Sequence, residues 1–404
     1  MHIALSCFML MATASCQPSV SFEKQVLTER YYCDGITSGD INSDGHPDIV
    51  AGPFWYQGPD FTAAHEIYEP VPLPPEDSPS NSMFSFVHDF NADGRPDVLV
   101  LGRVHKHQAK WYENPGTPDM LWKCHVVFER IRGESPLLTD LTGEDQPQLI
   151  CHWDGRWGWI EPDSTDPTAE WQFVAIGDDH DWPRFYHGEG VGDVNRDGRS
   201  DLILNDGWYE QPEQPRSGNW KFHRGLFSKG RGGAQMFADD IDGDGDQDVI
   251  SAVDAHGWGV AWYEQVVEEK AASFREHLIM GDRSREHEFG AAFTQPHALA
   301  HADIDGDGVP DIIVGKRMWA HGPDGDIEPG AAPVLYWFQR SRTPDGHVRY
   351  VPHQVDDRSG VGVQITAADV NKDGRIDILT ASKLGCFVFL NRERSADGET
   401  FSKQ

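Results

Sequence analysis

The sequence predicts an all-β fold, a seven-bladed β-propeller. Three observations do so: one nine-residue acidic loop recurs seven times, its copies start 47 to 66 residues apart, and short apolar runs lie between them. The copies are DINSDGHPD from Asp40, DFNADGRPD from Asp89, DLTGEDQPQ from Asp140, DVNRDGRSD from Asp193, DIDGDGDQD from Asp240, DIDGDGVPD from Asp303 and DVNKDGRID from Asp369. That interval suits one four-stranded blade per copy. The 404 residues include 41 Gly, 26 Pro, 14 Trp and 20 Phe and no long run of helical period, which also favours strands.

Each blade is read around its loop. In the copy at Asp193 an inner strand enters the loop, DLILN follows as the second strand, GWYEQ begins the third and WKFHRGLF makes the outer fourth. Comparable outer strands are KCHVVFERI, EWQFVAI, FREHLIMG and VRYVPHQV. The last copy stops soon after its third strand, CFVFLN, and the N-terminal SFEKQVLTE is expected to complete it, hiding both sheet edges. The propeller then covers 17–394, followed by a tail at 395–404.

Ahead of it, MHIALSCFMLMATASC has an apolar stretch from Ile3 to Ala12, too short to span a bilayer, followed by small residues, as in a signal peptide over 1–16. Two processing readings stay open: cleavage after Ala14 in an A-x-A site, or lipidation of Cys16 in a lipobox with Thr13 in place of an aliphatic residue. Either makes the protein exported, whether periplasmic, extracellular or lipid-anchored at the cell envelope. A membrane is met only through such an anchor, and a monomer is expected. Cys33, Cys124, Cys151 and Cys386 have no CxxC spacing, which disfavours zinc and leaves buried thiols or one disulfide.

The net charge of −32 excludes nucleic acid as a partner, since phosphate binding needs a basic face. The acids are in fixed register, which points to bound cations. Loop positions one, three, five and nine offer side-chain oxygens and position seven a backbone carbonyl, a donor set for a hard cation such as calcium. Position six is Gly in six copies, which permits a turn of positive φ. The ligand sets are Asp40, Asn42, Asp44, His46 and Asp48; Asp89, Asn91, Asp93, Arg95 and Asp97; Asp193, Asn195, Asp197, Arg199 and Asp201; Asp240, Asp242, Asp244, Asp246 and Asp248; Asp303, Asp305, Asp307, Val309 and Asp311; and Asp369, Asn371, Asp373, Arg375 and Asp377. About six structural calcium ions follow from this donor pattern. The third copy has Asp145 at the Gly position and Gln148 at the last ligand, so it is expected to be empty or weakly occupied.

These loops resemble the Dx[DN]xDGxxD repeat of the FG-GAP and VCBS families, over essentially the whole mature chain. The resemblance implies a propeller and bound calcium. It implies no single function, because integrin-like binders, fungal lectins and lyases share the scaffold.

Counting back six residues from each loop start reaches the far end of the inner strands: Asp34, Met83, Glu134, His187, Ala234, His297 and Val363. The second strands return to the same face with Arg103, His105, His107, His152, Asp154, Arg156, Asp206, Asp254, His256, Lys316, Arg317, His321 and Lys383. Titratable groups gathered in a funnel can tune one another's pKa, so this face is the expected site. Trp153, Trp157, Trp182, Trp208, Trp258 and Trp319 lie on or near it, where rings could stack on a sugar, although many serve interblade packing.

The segments GGAQMFADDIDGDGD, AHGWGVAWYEQ and GKRMWAHGPDGD are similar to those of bacterial FG-GAP proteins whose propeller resembles that of aldos-2-ulose dehydratase, a sugar-dehydrating lyase. The chain has no room for that enzyme's second propeller and cupin portion. What the resemblance implies is elimination, with His187 or His297 as base and Lys316, Arg317 or His321 steadying an enolate. Glu134, Asp154, Arg156, Asp254, His256 and Trp319 would bind a sugar or polysaccharide. A catalytic metal is left open. The alternative is a non-catalytic lectin or adhesion module; polar groups that differ from blade to blade favour one central site.

Overall fold

The computed structural model describes residues 20–393, except 77–78, 103–107, 119, 145, 179–181, 184 and 269–270. The expected leader over 1–16 with its processing sites, the tail at 395–404, and Arg103, His105, His107 and Asp145 lie outside the described residues. Among those described, no helix is long and apolar enough to cross a membrane. The one α-helix there is the four-residue turn Glu286–Phe289, two three-residue 3-10 turns lie at Pro215–Ser217 and Arg283–Arg285, and strands make up the rest of the regular structure.

The protein is an all-β propeller. Its inner strands are Ile36–Gly39, Phe84–His88, Arg132–Thr139, His187–Gly192, Gly232–Asp239, Pro296–Ala302 and Ile365–Ala368, each paired antiparallel with the strand that follows its loop. Five sheets stand apart as four-stranded units, rather than the expected seven; the remaining eight strands form one continuous sheet. The seam is a parallel pairing of two inner strands, with His187 opposite Gly232 and Gly190 opposite Met236. Glycine is the physical reason. A Cβ on Gly190 would sit 2.1 Å from the Met236 carbonyl oxygen, so only a bare backbone lets the two strands approach to pairing distance.

Val20–Thr28 pairs antiparallel with Gly385–Glu393, from Val20 opposite Glu393 to Thr28 opposite Cys386. Cys386 and Cys33 are buried free thiols whose sulfurs lie 3.5 Å apart. The core is distributed between sheets. Among the described residues, each apolar cluster joins the facing sides of neighbouring four-stranded units, and one of them (Val194, Ile203, Trp208, Met236, Val249, Tyr263) lies between the two halves of the eight-stranded sheet.

The repeated loops have a structural task of their own. The position-nine carboxylate is buried and accepts two backbone N–H groups: Asp48 takes Ile41 N and Gly58 N, both at 2.8 Å. The same pair of bonds recurs at Asp97, Asp201, Asp248, Asp311 and Asp377. In the third copy Gln148 substitutes, its Oε1 accepting from Leu141 N at 2.8 Å and its Nε2 donating to Thr142 Oγ1 at 3.1 Å, so a neutral amide closes that loop. At position seven, Arg95 and Arg199 turn their guanidinium groups back onto Asp93 and Asp197 of their own loops.

In four of the units an amide within or just after the third strand ties the loop to the preceding one. Gln265 Nε2 donates to Val194 O at 3.2 Å and Gln247 O at 2.9 Å; Asn114, Gln211 and Asn391 make the equivalent bonds. Replacing Gln265 by Ala leaves two carbonyls without their donor, and urea unfolding is expected to show a loss of about 1–3 kcal/mol. The third strands also place a Trp flat against a His of the fourth: Trp55 on His65, Trp111 on His125, Trp208 on His223, Trp262 on His277 and Trp337 on His353, at centroid distances of 4.2 to 4.7 Å. Trp208 therefore serves the outer sheet and not the funnel.

Candidate functional site

At the end of the inner strands opposite the acidic loops lies a cavity of about 750 Å³, lined in part by Glu134, His187, His256 and Arg317. Glu134 and His187 come from neighbouring inner strands, His297 from the strand Pro296–Ala302, and His256 from the turn after Asp248–Ala252. Their side chains meet. His187 Nε2 is 3.2 Å from Glu134 Oε2, His297 Nε2 is 3.7 Å from the same oxygen, and His256 Nε2 is 2.9 Å from His187 Nε2. Arg317 NH1 donates to His297 Nε2 at 2.8 Å; an arginine cannot accept, so that nitrogen presents its lone pair and the ring proton sits on Nδ1.

Support comes from behind. Asp34 is buried, accepts from Tyr31 OH and from Ser80 N and Oγ, each at 2.8 Å, and lies 4.0 Å from Arg317 NH2. Asn205 bonds the His187 carbonyl with its amide nitrogen, while its Oδ1 accepts from Gly233 N at 2.9 Å and Ser228 Oγ at 2.6 Å, which fixes the backbone at the seam. Burial, reinforced by the nearby Arg317 charge, holds the pKa of His187, His256 and His297 below the ordinary imidazole value. At neutral pH all three rings are neutral, able to take a proton or bind a metal.

The other expected site residues divide. His321 lines the cavity, its Nε2 3.0 Å from Arg231 NH1 and its Nδ1 3.2 Å from Asp326, with its ring 4.7 Å from that of His256. Lys316 does not join the cluster: alternate strand residues face opposite sides, and its Nζ donates to Thr294 Oγ1 at 2.5 Å and Ile327 O at 3.5 Å. Trp319 is likewise turned away, its indole nitrogen donating to Pro329 O at 2.8 Å. Asp154 and Arg156 are exposed at a hairpin tip outside the cavity lining. Asp254 braces the turn that carries His256, accepting His256 N at 3.0 Å, and does not line the cavity. Trp157 is wholly buried and Trp258 lies under Arg283, so neither offers a face to a sugar in the cavity.

Sequence reasoning missed the wall formed by the connection from outer strand to next inner strand. It supplies Leu226, Ser228, Lys229 and Arg231, with Phe185 and Tyr186 opposite. The signal was available as SKGR, a basic run in a chain of net charge −32.

Residues 240–314 match the family model described as FG-GAP-like repeat, which spans the strands and loops that carry His256 and His297. The chain is thus a β-propeller with an FG-GAP-like repeat. No curated protein sequence matches it significantly. Among solved structures it is similar to the Photorhabdus luminescens Tc holotoxin pore (12% identity, TM-score 0.38, 92% of this chain and 15% of that one). It is similar also to an Agrocybe aegerita lectin described as recognising non-reducing terminal N-acetylglucosamine (16%, TM-score 0.46, 93% and 85%). A third is the V. cholerae biofilm matrix protein Bap1 (10%, TM-score 0.44, 94% and 92%). The chain spans only a small part of the holotoxin chain. Likenesses of this size carry nothing about ligand or chemistry, and they lend no support to the resemblance to aldos-2-ulose dehydratase.

Proposed function

We propose that this is an exported, monomeric, calcium-braced propeller whose funnel catalyses elimination of water from a polyhydroxy, sugar-like carbonyl compound. The carrying observation is the convergence of His187, His297, Glu134 and Arg317 at one cavity. In this reading His187, paired with Glu134, takes the proton from the carbon beside the carbonyl. The electron pair passes into the carbonyl as an enolate held by Arg317. On its return the neighbouring C–O bond breaks, and the proton held by His187 passes to the leaving hydroxyl, releasing water and restoring the neutral ring. Exposed Phe185 and Leu226 at the rim offer an apolar shelf for a sugar face.

The eight-stranded sheet is read as two blades fused by the glycine seam, giving seven in all, with Val20–Thr28 closing the last. Calcium fits the loops as an all-oxygen ligand. Carboxylate oxygens of Asp303, Asp305 and Asp311, and of Asp240, Asp242 and Asp244, already lie within 4.8 Å of one another. The other loops would add Asn42, Asn91, Asn195 and Asn371. Export rests on the leader-like residues at the N-terminus. Incubation with a panel of keto- and uronic sugars is expected to raise the absorbance of a conjugated enone. Retention of a sugar without any such product would instead make the protein a lectin.

A further inference from the structure

We infer that Glu134, His187, His256 and His297 form a binding site for one zinc-like transition-metal ion, distinct in kind from the acidic loops. The inference does not rest on the elimination chemistry above; in the ion-bound protein His187 Nε2 is engaged, so the base role given to His187 applies to the metal-free protein.

Geometry carries it. Four segments far apart in sequence deliver one carboxylate oxygen and three imidazole nitrogens to a common point, with all four atoms within 4.8 Å of one another. Each ring contributes the same atom, Nε2, to the shortest contacts, at 2.9, 3.2 and 3.7 Å. Donors that each stand about 2.0–2.2 Å from a metal are separated from one another by roughly 3 to 3.5 Å, so two of these contacts already match and a small inward shift of the remaining donors would complete a coordination shell. The donors are also inward-facing: His187 and His297 are 3% and 1% exposed, and Glu134 8%.

The chemistry of the set selects the ion. Three imidazoles and one carboxylate suit zinc or a neighbouring first-row metal, whereas calcium takes oxygen alone. Neutral rings turned nitrogen to nitrogen at 2.9 Å can share one proton, and a cation between them satisfies all the lone pairs together. Arg317 at present holds the His297 lone pair. Metal entry replaces that hydrogen bond, and the guanidinium can then turn fully to Asp34. Glu134, His187 and His256 all line the cavity, so a remaining coordination position would face whatever occupies it.

The test needs no substrate. Protein made without a polyhistidine tag is stripped with chelator, reloaded with zinc or cobalt in the presence of excess calcium, and analysed for metal per chain. One tightly held ion is expected, with the strong visible bands of cobalt in a nitrogen-rich, low-coordinate site. His256→Ala, on a half-buried turn where folding is least at risk, should weaken zinc binding roughly 100-fold or more, as should Glu134→Gln. The inference is overturned if wild type keeps no more metal than H256A under calcium, or if cobalt shows only weak six-oxygen bands unchanged in both variants. Either result would leave the elimination reading to stand or fall on its own assay.

Discussion

Chelation of the proposed calcium ions is expected to lower the unfolding temperature by on the order of 10 °C or more. Each occupied loop would contribute about 2.7 kcal/mol with free calcium a hundredfold above its dissociation constant, and several loops would add. A chain of this size converts each kcal/mol into a few degrees at most. Without the ion, carboxylates such as Asp240, Asp242 and Asp244 crowd within 4.8 Å. The effect should grow with pH. Burial pushes the position-nine groups Asp97, Asp201, Asp248 and Asp311 up to about 7 in the ion-free loops. A carboxyl whose folded-state pKa is raised keeps its proton longer than in the unfolded chain. Its stabilisation is therefore present below the unfolded value of about 4 and is lost as pH climbs towards the folded one. Thermal melts with and without chelator should diverge more at pH 8 than at pH 5. Curves that coincide at both would remove calcium from the account.

His187→Ala is expected to cut turnover in the enone assay by about 10²–10⁴-fold, the usual contribution of a positioned general base. Arg317→Ala should lose about 10²–10³-fold by baring the enolate oxygen. His347, an exposed surface ring remote from the cavity lining, is the control, and His347→Ala should leave the rate unchanged. The acid limb of the rate profile should lie below pH 6.5, the value for a free imidazole, because burial keeps the His187 ring neutral. A profile that falls already near pH 7 would assign the base to an exposed residue.

Much of this architecture could be read from residue spacing. The acidic loop marks the end of an inner strand, and strand geometry is constant enough that counting six residues back from it reached Glu134, His187 and His297, which the fold brings together. The same count reached Asp34, which stands behind Arg317 rather than in the cavity. Lys316 and Arg317 are adjacent, and which of the two faces inward depends on the strand's rotation, which the loop register does not specify. The wall from 226 to 232 escaped notice because it is a connection between units, with no repeat to align it. The sheet count differed for a related reason: two glycine-rich inner strands can pair, but glycine alone does not announce a partner. Tryptophan in a repeat is ambiguous between sugar platform and packing. Trp208, a candidate platform by position, belongs to the WY motif of the third strands, whose rings stack on histidines of the fourth: Trp208 on His223, like Trp111 on His125 and Trp262 on His277.

The central claim is that one cavity, assembled by several blades, is where this protein meets its ligand. A crystal structure of the protein soaked with a keto-sugar, or with a deoxy analogue that cannot eliminate, tests it most directly. The account predicts density in the cavity with a ligand oxygen within hydrogen-bond distance of Arg317 or His187. Ligand bound only in grooves between the outer strands, with solvent alone beside the three histidines, would contradict it.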